Sequence, residues 1–343
     1  MRTRVCITID TEFSIGGAFA DATRHPIAEP MVYCKVKDRS EGLGFMLDTF
    51  QRYGVQATFF TETLQRLYFK HDPMHPIVHE IRDNGHEVGL HLHPCWSVFQ
   101  HEDWRARIPA LKRPDSFFGR SAADSVALLE QGIQTFADWG LDRPKAFRSG
   151  NLQHDANLYQ ALAQVGIPYS SNIAAAIFDS GDPAYKLYSG QHPCHGVIEC
   201  PVLSFIDWSF GSRRHLKSLT IAGTSFREMK TLLTKAREAD IDTVVILTHP
   251  FEYVQSRDTT FTRTRTQYVT QQRLRRLCRY LQQNDDQFEA CGLVHALDDY
   301  RAVSTRNELL EVSLSQSLPR MVEQVIYDRY SRWALNRNQP AMA

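Results

Sequence analysis

Short apolar runs and amphipathic segments alternate along most of the chain. Runs rich in β-branched and aromatic residues predict strands at about residues 5–9, 55–60, 85–95, 197–201, 202–208 and 243–247, and a further strand that starts at about residue 166. Apolar residues at helical spacing predict helices at about residues 43–54, 73–84, 121–139, 155–165, 225–239 and 267–283. Strands that alternate with helices in this way are typical of parallel βα units. The pattern therefore predicts an α/β fold with about seven parallel strands.

Two long segments and the C-terminus depart from this alternation. Residues 14–40 and 96–120 carry glycine and proline without periodicity, so they predict loops that cover strand ends. The chain finishes with helical patterns at about 305–315 and 318–335. The second pattern has an apolar stripe of Leu318, Val322, Val325, Ile326, Tyr330 and Trp333. We expect one domain over residues 1–300 and a helical extension over 301–343 that packs on this domain or on a second subunit.

Polar residues with catalytic chemistry follow several of the predicted strands. They are Asp10, Glu12, His91, His93, Arg148, Asp207 and His249. In parallel α/β folds, ligands and catalytic groups collect at the carboxyl ends of the strands, so these residues can meet in one site.

Two pairs at spacing i, i+2 support a shared site. Alternate residues of a strand point to the same face, so Asp10 with Glu12 and His91 with His93 each converge. The histidines taken alone are equally compatible with satisfied polar neighbours of a core. Together, the carboxylates, imidazoles and arginine form the set that metal-assisted hydrolysis needs: three ligands, a base and a separate acid.

Composition excludes several classes of protein. The 39 basic and 39 acidic side chains, with a pI near 7.2, argue against binding to nucleic acid or to a membrane surface. The N-terminal residues pass directly into a strand pattern without a secretory signal, and no run has the length of a membrane helix. The seven scattered cysteines fit reduced thiols. We therefore expect a cytoplasmic protein that is not an integral membrane protein.

Five motifs, in this order, resemble the polysaccharide deacetylase superfamily, also called NodB-like or carbohydrate esterase family 4. They are I-T-I-D-T-E-F, V-Q-A-T-F-F, G-H-E-V-G-L-H-L-H-P, F-R-S-G-N and I-L-T-H-P. The resemblance covers about residues 3–253, with residues 293–297 expected to add a last strand. It implies a distorted (β/α) barrel and metal-dependent hydrolysis of an N-acetyl or related amide, usually on a sugar.

The first two motifs imply a base and a metal site. Asp10 matches the catalytic base. Thr11 replaces the usual adjacent aspartate, which moves the carboxylate ligand to Glu12. His91 matches the first histidine ligand, whereas the position four residues later is Cys95. We expect Glu12, His91 and His93 to bind a divalent metal, with zinc as the expected ion and Cys95 as the alternative third ligand. His86 matches a structural histidine.

The later motifs imply the remaining roles. Arg148 would orient Asp10 and keep it ionised. Backbone donors near Gly150 and Asn151 could stabilise the oxyanion. His249 matches the general acid. Asp207 either orients His249 or lies in a surface turn.

The predicted function is removal of an N-acetyl or related acyl group from a sugar or polysaccharide precursor by a metal-dependent hydrolase. Two alternatives stay open at this point: hydrolysis of a non-sugar C–N bond, and a non-catalytic carbohydrate-binding protein on the same fold. A Ser-His-Asp hydrolase is disfavoured because the chain has no G-x-S-x-G motif. The expected partner is a carbohydrate or small amide substrate. A homo-oligomer through the C-terminal stripe is the only protein contact that the pattern suggests.

Overall fold

The computed structural model describes residues 2–21, 23–111, 115–298, 306–320 and 322–323. Its strands are β1 Thr3–Thr11, β2 Lys35–Val36, β3 Arg39–Ser40, β4 Thr58–Glu62, β5 Glu87–Leu92, β6 Ala146–Ser149, β7 Tyr169–Ser170, β8 His192–Cys194, β9 Val197–Glu199, β10 Ser204–Phe210, β11 Arg213–Ser218, β12 Thr243–Thr248, β13 Val254–Ser256, β14 Thr264–Thr266, β15 Phe288–Ala290 and β16 Leu310–Glu311. Its helices are α1 Pro30–Tyr33, α2 Leu43–Tyr53, α3 Met74–Asp83, α4 Trp104–Arg107, α5 Ala122–Asp138, α6 Ala156–Gln164, α7 Phe226–Glu238, α8 Tyr268–Gln283 and α9 Leu293–Asp298.

The first strand lies inside the main sheet and is paired along both edges. One edge of β1 pairs in parallel with β12, while the opposite edge pairs first with β15 and then with β4. Val5, Ile7 and Ile9 are buried on one face, and Cys6 and Thr8 are buried on the other. Parallel strands are covered on both faces, which explains why this stretch has few exposed positions.

The main sheet has the strand order β12-β1-β4-β5-β6-β7-β9-β8. All neighbours along this order are parallel except β8 and β9. The sheet curls into a half-barrel, which confirms the predicted α/β fold with a distorted barrel. A smaller sheet, β11-β10-β16, and the two hairpins β2–β3 and β13–β14 lie outside it.

Capping residues mark the ends of two helices where the sequence predicts them. α2 ends at Gly54, whose φ of 63° is the left-handed conformation of a helix C-cap. α7 begins with the predicted capping box, in which Ser225 and Glu228 satisfy each other's backbone amides. The predicted loop 14–40 is confirmed in outline, although it includes α1 and the β2–β3 hairpin.

The expected last strand at residues 293–297 is wrong, because these residues form α9. Glu87, at the start of β5, accepts hydrogen bonds from the amides of Val294 and His295 at 2.9 and 2.8 Å. Thr58 accepts from the amide of Leu293. These distant groups satisfy the first amides of the helix, and a short apolar run gives no local sign of them.

The C-terminal part differs from the predicted helix at about residues 305–315. Leu310 and Glu311 instead form β16, because they pair in parallel with Phe205 and Ile206 of β10. Residues 314–320 are helical, as are 322 and 323, and the rest of the predicted helix 318–335 lies outside the described residues.

Arg320 joins this C-terminal segment to the domain through ion pairs. Its guanidinium group lies 2.6 Å from Asp207 and 3.0 Å from Glu228, and all three side chains are buried. Ser317 also donates to the backbone oxygen of Asp207. The described part of the extension therefore packs on the domain through paired, buried charges.

Two further observations concern the cysteines and the helices. All seven cysteines are buried free thiols. Among the helices that the structure describes, none is long and apolar enough to cross a membrane.

We expect Arg320→Met to lower the free energy of unfolding by about 3–5 kcal/mol, because the carboxylates of Asp207 and Glu228 would stay buried without their cation. Denaturant-induced unfolding measures this change. Arg24→Met is the matched control, since Arg24 and Asp21 form an exposed ion pair. Equal stability of the two variants would contradict the role assigned to Arg320.

Candidate active site

The carboxyl ends of neighbouring strands bring the predicted site residues together. In the sheet register, Glu62 of β4 pairs with His91 of β5, which pairs with Arg148 of β6. A cavity of about 150 Å³ lies at these strand ends. Its lining residues are Asp10, Glu12, His91, His93, Asn151, Leu152, Ile177, Leu247 and His249.

Glu12, His91 and His93 form the centre of this cavity. One carboxylate oxygen of Glu12 lies 2.6 Å from Nε2 of His93 and 3.2 Å from Nε2 of His91. Burial alone would raise the pKa of Glu12, but the two imidazoles hold it well below its usual value. Burial likewise opposes protonation of His93, yet Glu12 and Asp115 raise its pKa well above the usual value. The three side chains are thus strongly coupled.

The other ring nitrogen of each histidine has a fixed partner. Nδ1 of His91 lies 2.9 Å from the backbone oxygen of Arg148, and Nδ1 of His93 lies 2.7 Å from the carboxylate of Asp115. A carbonyl or carboxylate oxygen accepts a hydrogen bond from Nδ1–H, which in a neutral ring leaves the lone pair on Nε2. Metal-binding histidines are commonly oriented in this way.

This donor set fits a divalent metal ion. One carboxylate oxygen and two imidazole nitrogens lie within 4.8 Å of one another. Three ligands of these types are what catalytic zinc sites use, with a fourth position left for water or substrate.

Cys95 lies on the far side of His93 from Glu12. Its sulfur groups with His93 and Asp115, not with Glu12 and His91. The thiol is buried, and burial raises its pKa well above the usual value. The geometry therefore favours His93 over Cys95 as the ligand that shares a site with His91.

Arg148 and Asp10 form a buried ion pair beside the cluster. A guanidinium nitrogen of Arg148 lies 2.8 Å from Asp10 and 2.8 Å from the hydroxyl of Thr8. The remaining nitrogens donate to the backbone oxygen and hydroxyl of Ser171, and the group lies over the ring of Phe60. The predicted contact between Arg148 and Asp10 is confirmed.

His249 faces Asp10 across the cavity. Its Nε2 lies 3.8 Å from Asp10, while its Nδ1 lies 3.1 Å from Glu252. Burial lowers the pKa of His249, but Glu252, Asp10 and Glu12 outweigh this effect and raise it to about 9. The imidazole is therefore protonated at neutral pH.

Comparison with known proteins agrees with the motifs. Residues 40–170 match the family model described as polysaccharide deacetylase. No protein with a curated description matches the chain.

The resemblance to the polysaccharide deacetylase superfamily is confirmed.

Solved structures with similarity to the chain include three carbohydrate esterase family 4 proteins. One is a family 4 carbohydrate esterase from Streptomyces lividans in complex with acetate, at 14% identity and a TM-score of 0.41 over 89% of this chain and 98% of that one. Another is a family 4 acetyl xylan esterase from Clostridium thermocellum with a cobalt ion, at 15% identity and a TM-score of 0.40 over 86% and 91%. The third is a family 4 pseudoenzyme from Bacillus anthracis, at 11% identity and a TM-score of 0.44 over 88% and 67%.

The deacetylase match spans the histidine motif and Arg148, whereas Asp10, Glu12 and His249 lie outside it. His86, within the match, packs between Phe50 and Phe59 and accepts from the amide of Ala57. Burial lowers its pKa to about 4, so it is a neutral structural residue, as the deacetylase motif implies.

Asp207 does not lie at the site. Its carboxylate is 2.5 Å from Nδ1 of His215 and 2.6 Å from Arg320, and Glu252 occupies Nδ1 of His249. The expectation that Asp207 orients His249 is therefore wrong, because β10 belongs to the smaller sheet. It is not a surface turn either, since Asp207 is buried.

Gly150 and Asn151 lie beside the histidine cluster. A Cβ atom at Gly150 would lie 2.5 Å from Nδ1 of His93, so only glycine lets the backbone approach this ring. Asn151 has a φ of 54° and its amide donates to Asp115 at 2.7 Å. The turn 150–152 therefore packs directly on the histidine cluster.

Three carboxylates that hold the site histidines were not predicted from the sequence, namely Asp115, Glu62 and Glu252. Asp115 holds His93 and Asn151, but it lies in the unpatterned loop 96–120, where no periodicity singles it out. Glu62 accepts from the amides of His93 and Leu64, and burial raises its pKa to about 8. Glu62 lies two residues after the predicted strand 55–60, and this position is the feature of the sequence that could have indicated it.

Proposed function

We propose that this protein is a metal-dependent hydrolase that removes an N-acetyl or related acyl group from a sugar or polysaccharide precursor. The observation that carries the proposal is the Glu12–His91–His93 cluster beside a buried Asp10–Arg148 pair, with His249 opposite. The family match over residues 40–170 supports sugar deacetylation as the reaction class.

In this proposal Glu12, His91 and His93 hold the ion, with zinc as the expected metal. A bound divalent ion supplies Lewis acidity toward the acyl oxygen and toward a water molecule. The backbone oxygen of Arg148 and the carboxylate of Asp115 keep the two imidazoles in the tautomer that binding requires.

Asp10 acts as the general base. Arg148 donates to its carboxylate at 2.8 Å, so the carboxylate is fixed and its charge is offset. A rigid carboxylate at the cavity wall can accept the proton of a water that attacks the acyl carbon.

His249 acts as the general acid toward the departing nitrogen. With its pKa raised to about 9, it carries the proton that the leaving amine needs at neutral pH. Backbone amides of the turn 150–152, which lines the cavity, are the proposed donors to the oxyanion.

The substrate is proposed only at the level of an acylated sugar. A C–N bond outside a sugar stays an alternative, and cytoplasmic location stays a prediction of the sequence.

We expect Asp10→Asn to lower kcat by about 10²–10⁴-fold while the bound metal is retained, because only the base is removed. The assay measures release of acetate from acetylated sugars, with cyclic and linear amides tested in parallel. Asp48→Asn, an exposed change on α2, is the control. Full activity of Asp10→Asn would contradict its role, and turnover of amides alone would move the substrate outside sugars.

We expect Glu12→Ala, His91→Ala and His93→Ala each to abolish stoichiometric metal binding, since each removes one of three ligands. Elemental analysis after reconstitution with zinc measures the metal content. Cys95→Ser is the matched control and should bind metal normally. Metal loss in Cys95→Ser with retention in His93→Ala would instead assign the third ligand to Cys95.

We expect the pH profile of kcat/KM to fall as the pH rises through about 9, where His249 loses its proton. Glu252→Gln removes the hydrogen-bonded carboxylate that raises this pKa, so the alkaline limb should move to lower pH. Glu289→Gln, at the opposite end of the sheet, should leave the limb in place. An unchanged limb in Glu252→Gln would rule out His249 as the titrating acid.

A further inference from the structure

A cationic groove lies between the hairpins β2–β3 and β13–β14, and we call it the basic groove. Its volume is about 1050 Å³. Five cationic side chains line it, namely Lys35, Lys37, Arg257, Arg263 and Arg265. The hydroxyl of Thr264 on one hairpin donates to the backbone oxygen of Lys35 on the other, so the two walls are joined.

Cationic side chains outnumber carboxylates among the residues that line the basic groove. Glu29 is the one carboxylate among the residues that line it. Asp258 lies 3.6 Å from Arg263, but its oxygens also accept from backbone amides of its own turn, including that of Thr262. Cations gathered around a concave surface create a positive potential that attracts anions.

The groove also has features of a binding surface. Tyr33 and Phe261 contribute aromatic surface to it, and Arg265 is held by Gln255 at 2.9 Å. Guanidinium groups bind phosphate and carboxylate oxygens in pairs, and fixed groups lose less entropy on binding.

Two connections link one side of the basic groove to the catalytic cavity. Ser14 bridges Ile27, two residues after Glu12 and two before Glu29. Since a residue spans at most about 3.6 Å and paired strands lie about 5 Å apart, Glu29 lies within roughly 20 Å of Glu12. In addition, α1 packs against the turn Pro250–Tyr253, which directly follows His249.

We propose that the basic groove binds a negatively charged group of the substrate, a phosphate or a carboxylate, while the acyl group occupies the catalytic cavity. The inference rests on the proposed function and narrows it to anionic saccharides. A neutral sugar could fill the cavity, but it would bring no opposite charge to the cationic side chains of the groove.

Binding measurements test this proposal separately from catalysis. Calorimetry on Asp10→Asn protein, in which we expect turnover to be strongly reduced, compares three probes: a neutral N-acetylglucosamine trisaccharide, the same trisaccharide with a 1-diphosphate, and one ending in a uronic acid. We expect at least one anionic probe to bind roughly tenfold more tightly than the neutral one, and the preference to shrink at high salt. The two anionic probes distinguish phosphate from carboxylate.

The groove variant is Lys35→Gln with Lys37→Gln, and both side chains are exposed, so folding should be unaffected. We expect it to lose most of the preference for the anionic probe and, in the active enzyme, to raise KM for that substrate with kcat unchanged. Arg227→Gln with Lys230→Gln, exposed on α7, makes the same change in net charge and should behave like the parent.

The outcomes separate the two proposals. Equal affinity for charged and neutral probes, or equal loss in both double variants, would overturn the groove assignment whether or not the enzyme deacetylates sugars. A retained, Lys35- and Lys37-dependent preference without any acetate release would support the groove and reject the proposed function.

Discussion

The buried contact between Arg148 and Asp10 is the constraint on which the candidate site depends. Arg148 links three strands of the main sheet: its guanidinium group binds Asp10 and Thr8 of β1, its backbone oxygen orients His91 of β5, and it donates to Ser171 directly after β7. Two charges removed from water are costly unless hydrogen bonds satisfy them, and here neighbouring strands supply those bonds. Asp10 and one imidazole of the cluster are consequently positioned by the same residue.

A second layer of carboxylates fixes the other half of the site. Asp115 orients the ring of His93, Glu62 holds its backbone amide, and Glu252 holds His249. Asp115 and Glu252 each bind Nδ1 of an imidazole, while the Nε2 atoms of these rings face Glu12 and Asp10. This arrangement leaves Glu12 as the carboxylate between His91 and His93, and it explains how acidic and imidazole groups stay in place when packed so closely.

The loops after β1 and β12 connect the candidate site to the basic groove. Both follow strands that carry catalytic candidates, and both continue into the hairpins that form the basic groove. In parallel α/β proteins such loops vary while the strand ends stay fixed, so chemistry and substrate choice can be assigned to different parts of one rim. The groove would select the substrate by charge, while the strand ends would supply the reaction.

The amino-acid sequence by itself determined the α/β alternation, the caps at Gly54 and Ser225, and the convergence of Asp10, Glu12, His91 and His93, because these follow from periodicity and short-range hydrogen bonding. It did not determine which groups hold those side chains. Asp115 lies in a loop without periodicity, and Asp207 lies in a separate sheet, where it pairs with Arg320. Residues 293–297 are helical because Glu87 of a distant strand accepts hydrogen bonds from their first amides. Such partners are set by contacts between residues far apart in the chain, and only the tertiary structure decides them.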